Sequence, residues 1–194
     1  MRLGVMVSGS GTLLDAMVAS GLDVAAVLVD RRCPAEAVAE RHGLTLRVIE
    51  RTDFSADFDR VAYTEAVVAA WDELDLDLIA MAGWGTVLAA PAFDARPGRI
   101  INTHPALLPS FKGWHAVRAA LDAGVKVTGC TVHVATVEVD EGPILAQVAV
   151  PVLPDDDEAT LHERIKEAER RTYPEVLAEV LARGWVLGAD EVGV

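Results

Sequence analysis

Only two cysteines, Cys33 and Cys130, occur in 194 residues, and neither falls in a metal-ligand spacing. That excludes a disulfide-stapled scaffold and gives no reason to expect a zinc cluster or any other metal. Basic residues are outnumbered, with 17 Lys and Arg against 30 Asp and Glu, for a net charge of −13. A nucleic-acid partner is not expected of such a chain, because that affinity comes from cations displacing phosphate counterions. A small anionic substrate stays open, since salt screens the global field over about 8–10 Å and local amides and cations act inside that distance. Long apolar runs are missing too: none reaches the roughly 18 uncharged residues that cross a bilayer. The N-terminus enters a strand-like segment directly, without the apolar stretch and cleavage site of a signal peptide. No membrane association is expected, and the cytoplasm is the expected compartment.

What the chain does have is material for a core. Hydrophobic residues make up 52% and charged residues 24%, and a chain of this length buries roughly 70% of the surface its unfolded form exposes. Strand-like runs at 3–7, 24–29, 44–49, 76–82 and 99–103 are apolar throughout rather than alternating, which suits strands covered on both faces. Helical patterns fall between them at 12–20, 35–42 and 57–73. Parallel neighbours need crossover connections, so this rhythm implies a mostly parallel sheet with helices on both sides. The last third differs. Runs at 127–135 and 143–150, separated by a short polar turn at 136–142, read as an antiparallel pair, and a long helix follows at 159–183. The acids at 155–158 suit the positive end of that helix's dipole. The expectation is one Rossmann-like, three-layer α/β domain: a mostly parallel sheet, an antiparallel strand pair near its C-terminal end, and a long C-terminal helix.

Ser8-Gly9-Ser10-Gly11-Thr12 lies between the first strand and the first helix. Glycines let the backbone approach a ligand closely, and helix N-terminal amides favour an anion. A monophosphate cradle is one reading. A dinucleotide site is another, with Asp30 at the end of the second strand placed to hold a ribose. Its third glycine, however, would fall at Leu14. A tight turn without a ligand is the third reading.

The run Asn102-Thr103-His104-Pro105-Ala106-Leu107-Leu108-Pro109 is more informative. Residues two apart on an extended chain share a side, so Asn102 and His104 face one pocket at the carboxyl end of a strand, where open α/β sheets bind ligands. Pro105 and Pro109 stop the strand from continuing. An amide and an imidazole side by side suit acyl transfer, the first donating to an oxyanion and the second handling protons.

This run resembles the signature of the folate-dependent formyltransferases. Met81-Ala82-Gly83-Trp84, Gly129-Cys130-Thr131-Val132-His133 and Val139-Asp140-Glu141-Gly142-Pro143-Ile144-Leu145 match further pieces in order and spacing. The resemblance covers the whole chain, and its length is similar to the branch acting on glycinamide ribonucleotide rather than to relatives with added domains. It implies transfer of the formyl group of 10-formyltetrahydrofolate, as co-substrate, to the amine of glycinamide ribonucleotide in purine biosynthesis. One domain over 1–194 is then expected, with the ribonucleotide-phosphate-binding half at 1–98 and the catalytic and folate-loop half at 99–194. A monomer or homodimer is expected.

Carried over residue by residue, the resemblance implies catalytic roles for Asn102 as oxyanion donor, His104 as general acid and Asp140 as the carboxylate that tunes His104. Gly11, Thr12 and Leu13 take the phosphate-binding position, where the family pattern is Gly-Ser-Asn; Thr12 keeps the hydroxyl and Leu13 offers only its backbone. Glu169 matches the ribose-binding residue, and Lys166 shares its helix face. Folate binding falls to Gly85, Thr86, Val87 and Leu88, with Asn102 and Arg60. The family pattern has Met-Arg where this chain has Gly85-Thr86, so an arginine contact is missing. His133 is a possible pocket wall. Two alternatives stand beside this: formyl transfer to another amine such as a sugar nucleotide, and a non-catalytic nucleotide sensor built on the Gly9/Gly11 turn.

Overall fold

The computed structural model describes residues 1–187. Seven strands, β1 (Leu3–Val7), β2 (Val24–Val29), β3 (Leu46–Val48), β4 (Leu78–Met81), β5 (Ile100–His104), β6 (Val127–Val134) and β7 (Ile144–Pro151), form one sheet in the order β3-β2-β1-β4-β5-β6-β7. β1 to β5 pair in parallel, while β6 runs antiparallel to both β5 and β7. The expected antiparallel pair is present, and the change of direction begins one junction earlier, at β5–β6. Strand order reverses between β1 and β4, and the crevice outside the carboxyl ends at such a switch point is where open α/β sheets take ligands.

Six helices cover the sheet: α1 (Thr12–Ala19), α2 (Ala35–Arg41), α3 (Arg60–Glu73), α4 (Ala90–Ala95), α5 (Ala116–Asp122) and α6 (Glu158–Arg183). Every residue of β1 is buried. Leu3, Val5 and Val7 point into a core shared with α1, α2 and the second half of α6. Met6 points the other way, into a core with Trp71 of α3 and Ala92 of α4. The run is apolar throughout because both faces need an apolar surface, and each such side chain fully buried is worth about 1.5–3 kcal/mol. A smaller cluster joins Val117 of α5 to Leu161 and Ile165 of α6.

α6 does most to shape one end of the sheet. Asp157 caps it, accepting from Thr160 N at 2.8 Å while Thr160 Oγ1 accepts from Asp157 N at 3.0 Å. Tyr173 donates to Ile101 O at 2.6 Å, and one helical turn earlier Glu169 accepts from Thr103 at 2.9 Å. α6 therefore runs against the direction of β5, and its first turns project beyond the strand's carboxyl end, over the crevice.

Several boundaries differ from the expectation. α3 begins at Arg60 rather than 57, because Asp59 Oδ1 accepts from Ala62 N at 2.9 Å and fixes the start. β3 shrinks to three residues, and β5 extends through His104. α4 and α5, of six and seven residues, fall in segments where no helix was expected.

Candidate active site

A cavity of about 420 Å³ opens at the carboxyl ends of β1, β4 and β5. Its walls are the Gly9–Leu13 turn, residues 81–88, the end of β5, the 135–140 turn and the first turns of α6. It gathers Asn102, His104, His133, Asp140, Thr12, Leu13, Lys166, Glu169 and the whole 85–88 segment around one space.

At its centre lie four side chains brought together by the β5–β6 register, which sets Asn102 opposite His133. His133 Nδ1 lies 3.0 Å from Val134 O; a carbonyl only accepts, so that nitrogen carries the proton. Nε2 is thus left as the acceptor for Asn102 Nδ2, at 3.3 Å. Burial pushes the His133 imidazole below the usual histidine range, against the attraction of Asp140, and keeps that lone pair available. An amide nitrogen carries two protons, so one holds His133 and the second is free for the cavity.

Asp140 sits between two imidazoles, with Oδ2 3.3 Å from His104 Nδ1 and Oδ1 3.6 Å from His133 Nε2. Gly113 N donates to Oδ2 at 2.9 Å. His104 Nε2 donates to Phe111 O at 2.8 Å, leaving Nδ1, the nitrogen beside Asp140, for proton exchange. His104 and Asp140 are both buried, in a setting where charge interactions are stronger than in water. The turn bearing Asp140 needs unusual backbone. Asp140 has φ 59°, which aspartate tolerates better than most residues. A Cβ at Gly142 would stand 1.8 Å from Val134 O, so only glycine lets the turn fold back on β6.

At the turn expected to take a phosphate, Gly11 has φ 74°, and a Cβ there would come within 2.9 Å of Ala35 Cα. No side chain caps α1, so its first amides lack side-chain partners, a ready anion site. Thr12 is exposed and its hydroxyl lies 3.3 Å from Ser10 Oγ. Leu13 lines the cavity and also packs on the core beneath α1. Glu169 is buried, and burial pushes its carboxyl above the usual range in spite of the Thr103 bond. Lys166 pairs loosely with Glu163 at 3.9 Å, not with Glu169. His162 and Arg170 join the same wall. Sequence reading missed both, although 162, 166, 169 and 170 follow the i, i+4, i+7, i+8 pattern of one helix face.

Of the folate set, Gly85 to Leu88 line the cavity, with Leu88 also rooted in the α3–α4 core. Arg60 does not join them: it is exposed in the first turn of α3, outside the cavity lining. Asp30 is not free to hold a ribose. It is fully buried, with Arg31 donating twice at 2.9 Å and Thr86 once at 2.7 Å. That removes the acidic residue on which the dinucleotide reading depends. Among the described residues, no group of three or more His, Cys, Asp or Glu is placed to hold a metal ion, and no helix is long and apolar enough to cross a membrane.

An amide, an imidazole and a carboxylate meet at a sheet switch point, a set of groups able to serve group transfer, and the family model that matches residues 1–177 is that of the formyl transferases. The chain belongs to that family. Within it, the chain is 42% identical over 188 residues to the phosphoribosylglycinamide formyltransferase of Mycobacterium tuberculosis, covering 94% of this chain and 86% of that one. It is 39% identical to part of the trifunctional purine biosynthetic protein adenosine-3 of Gallus gallus, covering all of this chain but only 19% of that longer protein. Among solved structures, glycinamide ribonucleotide transformylase 1 from Symbiobacterium toebii superposes with a TM-score of 0.86 at 40% identity, covering 95% of this chain and 88% of that one.

Proposed function

We propose that this chain transfers the formyl group of 10-formyltetrahydrofolate to the amine of glycinamide ribonucleotide in purine biosynthesis. The observation that carries the reading is the Asp140 carboxylate lying between His104 and His133, with Asn102 held by His133 at the edge of the same cavity. The Gly11–Leu13 turn and the start of α6 receive the ribonucleotide, its phosphate at the α1 amides and its ribose at Glu169. Residues 85–88 receive the pterin. Arg60, outside the cavity lining, is left as an outer contact for the folate's carboxylate tail. In this reading residues 1–98 supply the phosphate end and 99–194 the catalytic groups.

The substrate amine attacks the formyl carbon, and the C=O bond opens to an oxyanion that accepts from the free proton of the Asn102 amide. His104 delivers the proton on Nδ1 to N10 of the folate as the C–N10 bond breaks. The attacking nitrogen loses one proton, which Asp140, directly or through water, passes back to His104. Formyl and proton are thus exchanged between two nitrogens with no net change in charge. Such an oxyanion donor typically contributes about 10²–10³ in turnover, and a placed acid or base about 10²–10⁴.

The test supplies glycinamide ribonucleotide and a 10-formyl folate and follows the deformylated folate by absorbance. Steady production that depends on both substrates is expected. Turnover with an amino-sugar nucleotide in place of glycinamide ribonucleotide, and none with the latter, would contradict the substrate assignment.

A further inference from the structure

Asp30 lies at the end of β2, outside the catalytic cluster, and has no part in the chemistry described above. Its carboxylate nonetheless ties the end of β2 to the segment after β4. Arg31 Nε and Nη2 bond Oδ1 and Oδ2 at 2.9 Å each, closing a bidentate pair. Thr86 Oγ1, from the segment after β4, donates to Oδ2 at 2.7 Å. Ser8, which follows β1, is among the neighbours that hold the Asp30 carboxyl below its usual range. The Ser8 hydroxyl oxygen accepts from Gly85 N at 2.5 Å, and Ser8 N donates to Gly83 O at 3.1 Å. Residues 83–86 are therefore held by two backbone bonds to Ser8 and one side-chain bond to Asp30.

A buried charge is not needed to hold such a fold together, since well-packed apolar groups of similar volume often do as well. What a carboxylate does here, and an apolar side chain cannot, is direct several donors from separate segments into one geometry. The two departures from the family pattern fit together on this basis. A Cβ at Gly85 would come within 3.1 Å of Arg31 Nη2 and 3.2 Å of Ser8 Oγ. A glycine at 85 lets Arg31 close over the segment, and a threonine at 86 supplies the hydroxyl that Asp30 accepts.

We propose that Asp30 is a positioning residue for the folate, acting through Arg31 and Thr86, beside the Ser8 bonds to Gly83 and Gly85, to set the backbone of residues 83–88 in its receiving geometry. This rests on the functional reading above and adds a specificity device to it. The ribonucleotide end of the cavity, at Thr12 and Glu169, makes no bond to the unit, so the effect falls on one substrate only.

Thr86→Val, made in the full chain, removes the hydroxyl and keeps the shape. The Michaelis constant for 10-formyl folate is expected to rise roughly tenfold, the scale of one hydrogen bond to a charged group. The Michaelis constant for glycinamide ribonucleotide should stay within about twofold, and Thr86→Ser should restore the folate constant. Calorimetric binding of tetrahydrofolate should weaken in step. Ser8→Ala, which deletes the acceptor for Gly85 N, carries the same expectation and serves if Thr86→Val fails to fold. An unchanged folate constant, or an equal rise for both substrates, overturns the proposal. If the unaltered chain binds glycinamide ribonucleotide but no tetrahydrofolate, the functional reading itself has failed, an outcome distinct from a Thr86→Val variant that binds folate normally.

Discussion

At the scale of single residues, burial sets the charge state of His133. His133 is held neutral, with its pKa depressed mainly by desolvation. Such a group supports the fold above the unfolded histidine value, near pH 6.5, and that support is lost as pH falls through the lower folded value. Protonation would also put a hydrogen on Nε2 and end its bond to Asn102. His133→Phe should therefore lower turnover by about 10-fold or more with both Michaelis constants little changed. It should also flatten the loss of thermal midpoint as pH falls below about 6.5. A variant with normal turnover would reduce His133 to a wall. Glu169 has the opposite sign: its folded pKa is raised by burial, so stability is greatest below the usual carboxylate range and is lost as pH rises through the raised value. Glu169→Gln should melt higher than the parent by a margin that widens from acid to neutral pH, while the Michaelis constant for glycinamide ribonucleotide rises. A margin independent of pH would refute the buried carboxylate's part. The Asn102–His104 pair was legible because alternate residues of a strand share a side. His133's hold on Asn102 was not, since it depends on the β5–β6 register, which no local pattern encodes. The Asp30–Thr86 bond joins residues 56 positions apart and was equally hidden.

At the scale of elements, the alternation of wholly apolar runs with helical patterns gave nearly every strand and the long helices to within a few residues, because a doubly covered sheet demands continuous apolar strands. α4 and α5 escaped because six or seven alanine-rich residues span barely two turns, too few for a periodic signal. The turn between β6 and β7 was recognised as a turn, yet its role follows from geometry seen only in the fold, with Gly142 against Val134 O and Asp140 at positive φ. Gly142→Ala should force that turn away from β6, costing about 1–3 kcal/mol and lowering turnover at least tenfold by moving Asp140. Asp157→Ala, which removes the α6 cap remote from the cavity, should cost about 0.5–2 kcal/mol and leave turnover unchanged. Denaturant melts with steady-state rates on both variants separate the two outcomes; parallel losses of activity would show that the turn has no special role.

At the scale of the whole molecule, a net charge of −13 has to be reconciled with the two anionic substrates of the proposed reaction. The favourable charge is local: the α1 amides, with Lys166 and Arg170, which line the cavity while also pairing with Glu163, lie inside the screening length of the proposed phosphate site. The sheet's switch point places the α1 amides next to the Asn102–His104–Asp140 cluster, and α6, lying over both, lines the cavity with its first turns while packing the core with its second half. The most direct test of the cluster is single-turnover formyl transfer by Asp140→Asn, with binding of both substrates measured alongside. A fall of about 10²–10⁴ in the transfer rate, with binding and melting temperature retained, is the expected result. Transfer at near the parent rate would contradict the assignment of His104, Asp140 and Asn102 to the chemistry.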